Sequence, residues 1–207
     1  MFKKITGVVA ISMLMTGCAN MTQRDPNLAQ FNNVEYINAG QANEGIKSFY
    51  TEHTVKNLDP EVAKVCIFQT VKNEDVTLTD SSKSFVGSYT GTYYNIKSSK
   101  TVDGGDVIKG DTKRGVMFNG NFKHTATDMF GVMPMPGYVR YTGVAMKKGD
   151  TLKITYKQIE HAFQSTGSAA NSGFSMLTSL AFIRPADAIK TMSDVSDSIV
   201  ECIKDYE

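Results

Sequence analysis

Tyr138-Val139-Arg140-Tyr141-Thr142-Gly143-Val144-Ala145-Met146 runs into Lys147-Lys148-Gly149-Asp150, and Thr151-Leu152-Lys153-Ile154-Thr155-Tyr156-Lys157-Gln158-Ile159 follows. Two runs rich in β-branched and aromatic residues flank a polar break that carries a glycine, which is the pattern of a β-hairpin. No other stretch of the chain shows so clear a pair of strands, and the fold class is read outward from it.

Upstream, the pattern stays mostly β. Val76 and Leu78 alternate with polar residues, and Phe85, Tyr89 and Tyr93 share one face of a candidate strand with Gly87 and Gly91 between them. Asp103-Gly104-Gly105-Asp106 reads as a loop. Val116, Phe118 and Phe122 share a face if residues 115–123 form one strand, whereas Asn119-Gly120 equally suits a tight hairpin turn, and both readings stay open. Asp59-Pro60-Glu61 is a helix-start signal, yet Val65-Cys66-Ile67-Phe68 favours a buried strand, so a turn and then a strand are expected there. Residues 41–56 place Ile46, Phe49, Tyr50 and His53 at helical spacing, and a short helix is expected despite Gly45.

Downstream the period changes. Ser165 to Gly173 is a Ser/Gly/Ala/Asn linker, and Phe174, Leu177 and Ala181 suggest a short apolar helix ending before Pro185. Ala188, Met192, Val195, Ile199, Cys202 and Tyr206 then step by four and three along one stripe of a final helix. Strands followed by helices predict an α+β domain, an antiparallel sheet of about five to seven strands with C-terminal helices packed on one face.

The amino terminus carries a different message. Met1-Phe2-Lys3-Lys4 is basic, and Ile5 to Met15 is an apolar run of the length of a signal-peptide core rather than of a membrane span. Met15-Thr16-Gly17-Cys18 closes it and resembles the lipobox of bacterial lipoprotein precursors. The resemblance implies cleavage between Gly17 and Cys18, a diacylglyceryl group such as palmitate-bearing lipid on the Cys18 thiol, and an acylated amino terminus. It further implies a signal peptide over 1–17, and a lipid bilayer as partner through acylated Cys18. Ala19 after the cysteine, in place of Asp, implies sorting to the outer membrane in a Gram-negative cell, facing the periplasm or the cell surface. Residues 18–44, rich in Asn and Gln and containing Pro26, read as lipidated terminus and flexible tether, with a single globular domain over 45–207.

Composition excludes some partners. The precursor's formal charge is +1, and without Lys3 and Lys4 there remain 20 basic residues against 21 acidic, a balance of −1. Nucleic acid, which demands clustered unpaired cations, is not an expected partner. A hydrophobic content of 41% and a charged content of 21% describe a folded domain.

With Cys18 lipidated, Cys66 and Cys202 remain, and an exported domain in an oxidising compartment can pair them. The alternative is two buried thiols behaving as small hydrophobes.

Chemical motifs mostly fail when tested against their mechanism. Gly105 to Thr112 has the glycine spacing of a phosphate loop, but Asp111 stands where a lysine meets the phosphates and would repel them. Asp103, Asp106 and Asp111 lack the spacing of a calcium loop. Gly173-Phe174-Ser175 hints at a nucleophile elbow, but Leu177 occupies a glycine position and no histidine follows Ser175. His53, His124 and His161 show no metal-ligand spacing, so no metal or other cofactor is expected. The enzyme alternative is a cell-wall-acting thiol hydrolase with Cys66 as nucleophile and His124 or His161 as base.

One apolar stretch stands apart. Met129-Phe130-Gly131-Val132-Met133-Pro134-Met135-Pro136-Gly137 combines prolines that oppose strand pairing with methionines that give adaptable contact area. Exposed, Met129, Phe130, Met133 and Met135 would contact a partner or lipid; buried, they would lid the core. Together these features predict a membrane-anchored envelope lipoprotein with a non-catalytic binding or scaffolding domain and an envelope protein as candidate partner. A carrier sheltering an apolar molecule between sheet and helices is the further alternative.

Overall fold

The 138–159 hairpin lies at the middle of the main sheet. The computed structural model describes residues 23–56, 59–112 and 115–206. In chain order the elements are β1 (Val34–Ile37), β2 (Gly45–Thr54), α1 (Pro60–Thr70), β3 (Val76–Asp80), β4 (Phe85–Val86), β5 (Tyr93–Tyr94) and β6 (Ser98–Val102). They continue with β7 (Ile108–Thr112), β8 (Gly115–Thr127), β9 (Pro134–Lys148), β10 (Thr151–Phe163), β11 (Ser175–Met176) and α2 (Pro185–Asp205). The main sheet is antiparallel and seven-stranded, in the order β1-β2-β10-β9-β8-β7, with β11 added to β10. The two α-helices among the described residues lie on one face of it, α1 against β8 and α2 against β2, so the α+β class holds, with one of these helices, α2, at the C-terminal end.

The core fills the space between sheet and helices. Tyr156 stacks on Phe49 with ring centroids 5.9 Å apart and meets Tyr141 edge to face at 5.1 Å. Its hydroxyl donates to the Met192 carbonyl at 2.8 Å and lies 2.6 Å from Ser196 Oγ, so the sheet is pinned to the middle of α2 by a satisfied buried polar group. Gly143 faces the same layer, and a β-carbon there would run into the Phe118 ring.

Several local expectations are overturned. Residues 60–70 form a helix, not a strand: Asp59 Oδ1 accepts from Glu61 N at 2.9 Å and Pro60 takes the first helical position. The helical period then splits the apolar run, with Cys66 and Ile67 buried and Val65 and Phe68 turned outward. Residues 45–54 form a strand, not a helix, because ladder bonding to β10 from Lys157↔Ser48 to Thr151↔Thr54 outweighs a local helical spacing. Residues 115–127 run as one strand through Asn119-Gly120, and Phe85, Tyr89 and Tyr93 are parted by a turn that folds Phe85 onto Tyr94, centroids 5.0 Å apart.

Residues 174–183 are not helical as expected; β11 pairs with β10, and a short 3-10 turn follows at Ala181–Ile183. Leu177 there bonds both neighbours, donating to Ile159 O at 2.9 Å and accepting from Ile46 N at 2.8 Å. Residues 23–44 are not the tether expected over 18–44: Arg24 pairs with Leu180, Leu28 is buried, and β1 belongs to the sheet. The domain thus begins well before residue 45.

Candidate functional site

The face of the sheet that the helices leave free carries a groove of about 590 Å³, of the size that holds a small ligand. Its floor is polar because period-2 alternation sends the apolar residues of each strand to the helix side and the others here. Asn119 and Asn121 come from β8, Arg140 and Thr142 from β9, and Gln158 and Glu160 from β10. One wall is the β3–β6 pair, which packs Val76 and Leu78 over Ala162, and another is the segment containing Phe174 and Met176.

A bulge in β10 creates the site. The β9–β10 register shifts between Lys157 and Glu160, and Gln158 adopts φ +49, a left-handed conformation unusual for a residue with a side chain. Pairing with β2 ends at Lys157↔Ser48, and β11 takes over at Glu160↔Met176. The bulge therefore opens the sheet beside the groove and turns Gln158 toward it. The surrounding ladder holds this conformation in place.

Arg140 and Glu160 form the polar centre, with Nε 2.6 Å from Oε2, and the guanidinium lies 4.3 Å over the Phe174 ring. The Thr142 hydroxyl lies 3.0 Å from Asn119 Oδ1 and 3.0 Å from Gln158 Oε1. One hydroxyl hydrogen serves only one of these oxygens, so the other amide is free to turn and offer its NH2 group. Asn121 is spoken for, donating to the Glu74 carbonyl at 2.6 Å. With Arg140 and Lys47 on one side and Glu160 and Asp103 on the other, the lining balances its charges. Arg140 and Glu160 satisfy each other, and the polar groups around them suit holding a ligand.

The residues singled out from sequence lie elsewhere. Cys66 and Cys202 are joined in a disulfide, with Cα atoms 5.7 Å apart, which ties α1 to α2. Cys66 thus presents no thiol to a substrate in this structure. Its supposed bases, His124 and His161, are brought together on the helix-side face, ring centroids 5.5 Å apart and edge to face. Gly137 between them makes the approach feasible, since a β-carbon there would lie 2.9 Å from His161 Nε2. His124 Nε2 donates to the Ile183 carbonyl at 2.7 Å. His161 Nε2 has no hydrogen-bond partner among the described residues, and His161 borders a cavity of about 180 Å³. Burial holds the His161 pKa down at about 4, with the facing His124 adding to the effect, and burial lowers that of His124.

Among the described residues no group of three or more His, Cys, Asp or Glu side chains is placed to hold a metal. Asp111 is paired with Lys64 at 2.7 Å, and Ser175 sits in β11. The interlayer space that an apolar cargo would need is occupied by Phe49, Phe118 and Tyr156, each almost wholly buried. Met129, Phe130 and Met133 are exposed and Met135 is half-buried, so the 129–137 stretch does not lid the core. Gly17 and Cys18 lie outside the described residues.

The sheet and its two helices define the class of protein, an α+β domain with a free sheet face. No family model matches the chain, and no curated protein matches it. Among solved structures it is similar to the crystal structure of a DUF4468 family protein from Bacteroides ovatus, at 10% identity over 80% of this chain and 90% of that one, with a TM-score of 0.44.

Proposed function

We propose that this protein is a membrane-anchored lipoprotein of the bacterial cell envelope whose domain binds a polar ligand or a partner's surface loop in the open-face groove without transforming it. The observation that carries the binding half is the Gln158 bulge, a strained residue whose amide joins Thr142, Arg140 and Glu160 around a space of ligand size. Balanced charge in the lining favours a neutral or zwitterionic ligand with hydroxyl or amide groups. The anchoring half rests on the Met15-Thr16-Gly17-Cys18 resemblance. Acyl chains on Cys18 would hold the domain at the bilayer, where two or more chains give stable attachment and one alone does not.

The test is capture from detergent-solubilised envelopes with the natural chain and with a variant carrying Arg140→Ala and Thr142→Ala. A partner bound by the natural chain and lost by the variant supports the groove as the binding place, and equal capture by both removes it. Labelled fatty acid entering the natural chain but not Cys18→Ser supports the anchor, and no incorporation into either overturns it.

A further inference from the structure

The loop that joins β8 to β9 presents apolar side chains to solvent: Met129 is 52% exposed, Phe130 73%, Val132 77% and Met133 62%. It is not a slack connection. Asp128 Oδ1 accepts from Val132 N at 2.7 Å and from Met133 N at 3.2 Å, while Asp128 N donates to the Met133 carbonyl at 2.9 Å. The carboxylate is thereby turned into the loop and the apolar side chains are held outward.

A second apolar projection leaves the same end of the sheet. The β4–β5 hairpin exposes Phe85, Val86, Tyr93 and Tyr94, and Tyr89 at its turn is fully exposed. Its root is fixed by Thr79 N, which donates to Gln164 O at 2.8 Å, and Gln164 N in turn donates to Pro136 O at 2.9 Å, next to the first loop. Both projections therefore start where β8 ends, β9 begins and β10 ends.

The chain enters the domain at this end too. Gln23 O accepts from Ala181 N at 2.9 Å, and the neighbouring Phe182 carbonyl accepts from Thr127 Oγ1 at 3.3 Å, one residue before Asp128. Cys18 precedes Gln23 by five residues, and a five-residue segment reaches about 18 Å at full extension. Acyl chains on Cys18 would keep this end within about 18 Å of the bilayer surface.

We infer that this end of the domain is its membrane-facing surface, with Phe130, Val132 and Met133 entering the interfacial region of the phospholipid bilayer that carries the Cys18 anchor. The inference rests on the anchoring reading above. Apolar side chains on a fixed loop add a second contact to the lipid chains and set the orientation of the domain, as amphipathic surfaces do at an interface. The β9–β10 hairpin turn at Gly149, at the other end of the same strands, then points away from the membrane.

The chain contains no tryptophan, so a single introduced indole reports its own surroundings. Full-length Phe130→Trp, Val132→Trp and Lys148→Trp proteins are reconstituted in phosphatidylethanolamine–phosphatidylglycerol vesicles containing acyl-brominated lipid. The expected result is a blue-shifted emission, mostly quenched by the bromines, at positions 130 and 132, and red, unquenched emission at 148. Unquenched emission at 130 and 132 overturns the orientation, and so does shielding of those positions in native envelopes but not in vesicles, which would point to a protein partner. The mass of the Cys18 peptide from the same samples separates the two failures. An acylated peptide with no quenching removes only the membrane-facing loop, and an unmodified peptide removes the anchor and the orientation together.

Discussion

Asp25 caps Ala186 across 161 residues of chain: its Oδ2 accepts from the Ala186 backbone N–H at 3.2 Å, at the first turn of α2. The same carboxylate accepts from Asn27 N at 2.9 Å through Oδ1. Arg184 leads into α2 in a left-handed conformation and offers no side-chain cap, so the orphan donors of this helix are met from the amino-terminal segment. The first of the described residues are thus locked to the last helix.

Asp25→Ala is expected to lower stability by about 1–2 kcal/mol, the usual cost of losing a side-chain cap from a buried helix terminus. Denaturant unfolding checks it. Asp25→Asn, which keeps one of the two acceptor oxygens in use, should recover part of the loss, and a loss equal to that of Ala would show that the Ala186 cap alone does not carry the effect.

The buried His124–His161 pair predicts an acid-sensitive domain. His161 is held near pH 4 by burial, below the 6.5 of a free imidazole, so between those values the unfolded chain binds a proton that the folded chain does not. Stability is therefore full above about pH 6.5, falls as pH drops towards 4, and levels below that, by about 3 kcal/mol from His161 alone. His161→Phe should flatten the slope, since the nitrogen it removes has no partner among the described residues. Unfolding midpoints at pH 7.5, 6 and 5 measure this, and an unchanged slope would assign the acid response to other groups.

At the bulge, stability and binding should move in opposite directions. Gln158→Gly relieves a left-handed conformation and is expected to leave stability unchanged or raise it by about 1 kcal/mol, while removing an amide from the groove. Weaker capture by a domain at least as stable as the natural one is the signature. Clear destabilisation would mean that the Gln158 side chain supports the fold.

The Cys66–Cys202 bridge closes a segment with a sequence separation of 136. Replacing both cysteines by Ala should lower stability by about 2–5 kcal/mol, chiefly by freeing the unfolded chain. Intact mass after alkylation, with and without reductant, shows the bridge directly, and a freely alkylated Cys66 in the untreated protein would reopen the thiol-nucleophile reading.

Much of the architecture was legible along the chain. The turn at Gly149, the strands around it and the stripe of α2 from Ala188 to Cys202 are set by local period and turn chemistry, and they formed where those signals lie. Segments without a dominant local signal were misread. Val65 to Phe68 has strand composition but folds as helix under the Asp59 cap and the pull of α2, and Leu177 follows a ladder vacancy beside Ile46 that no local window contains.

By itself the sequence determined the α+β class, the central hairpin, the last helix and the lipobox-like Met15-Thr16-Gly17-Cys18, because each is written in neighbouring residues. The groove was decided only by tertiary structure. Counting outward from the Gly149 turn pairs Thr142 with Lys157, and regular pairing would next set Arg140 opposite Ile159; the bulge shifts the register so that Arg140 meets Glu160. Strand side chains alternate faces residue by residue, so that shift of one position decides which of them reach the open face and which enter the core. It depends on β2 leaving and β11 joining the edge of β10, contacts between segments far apart in the chain.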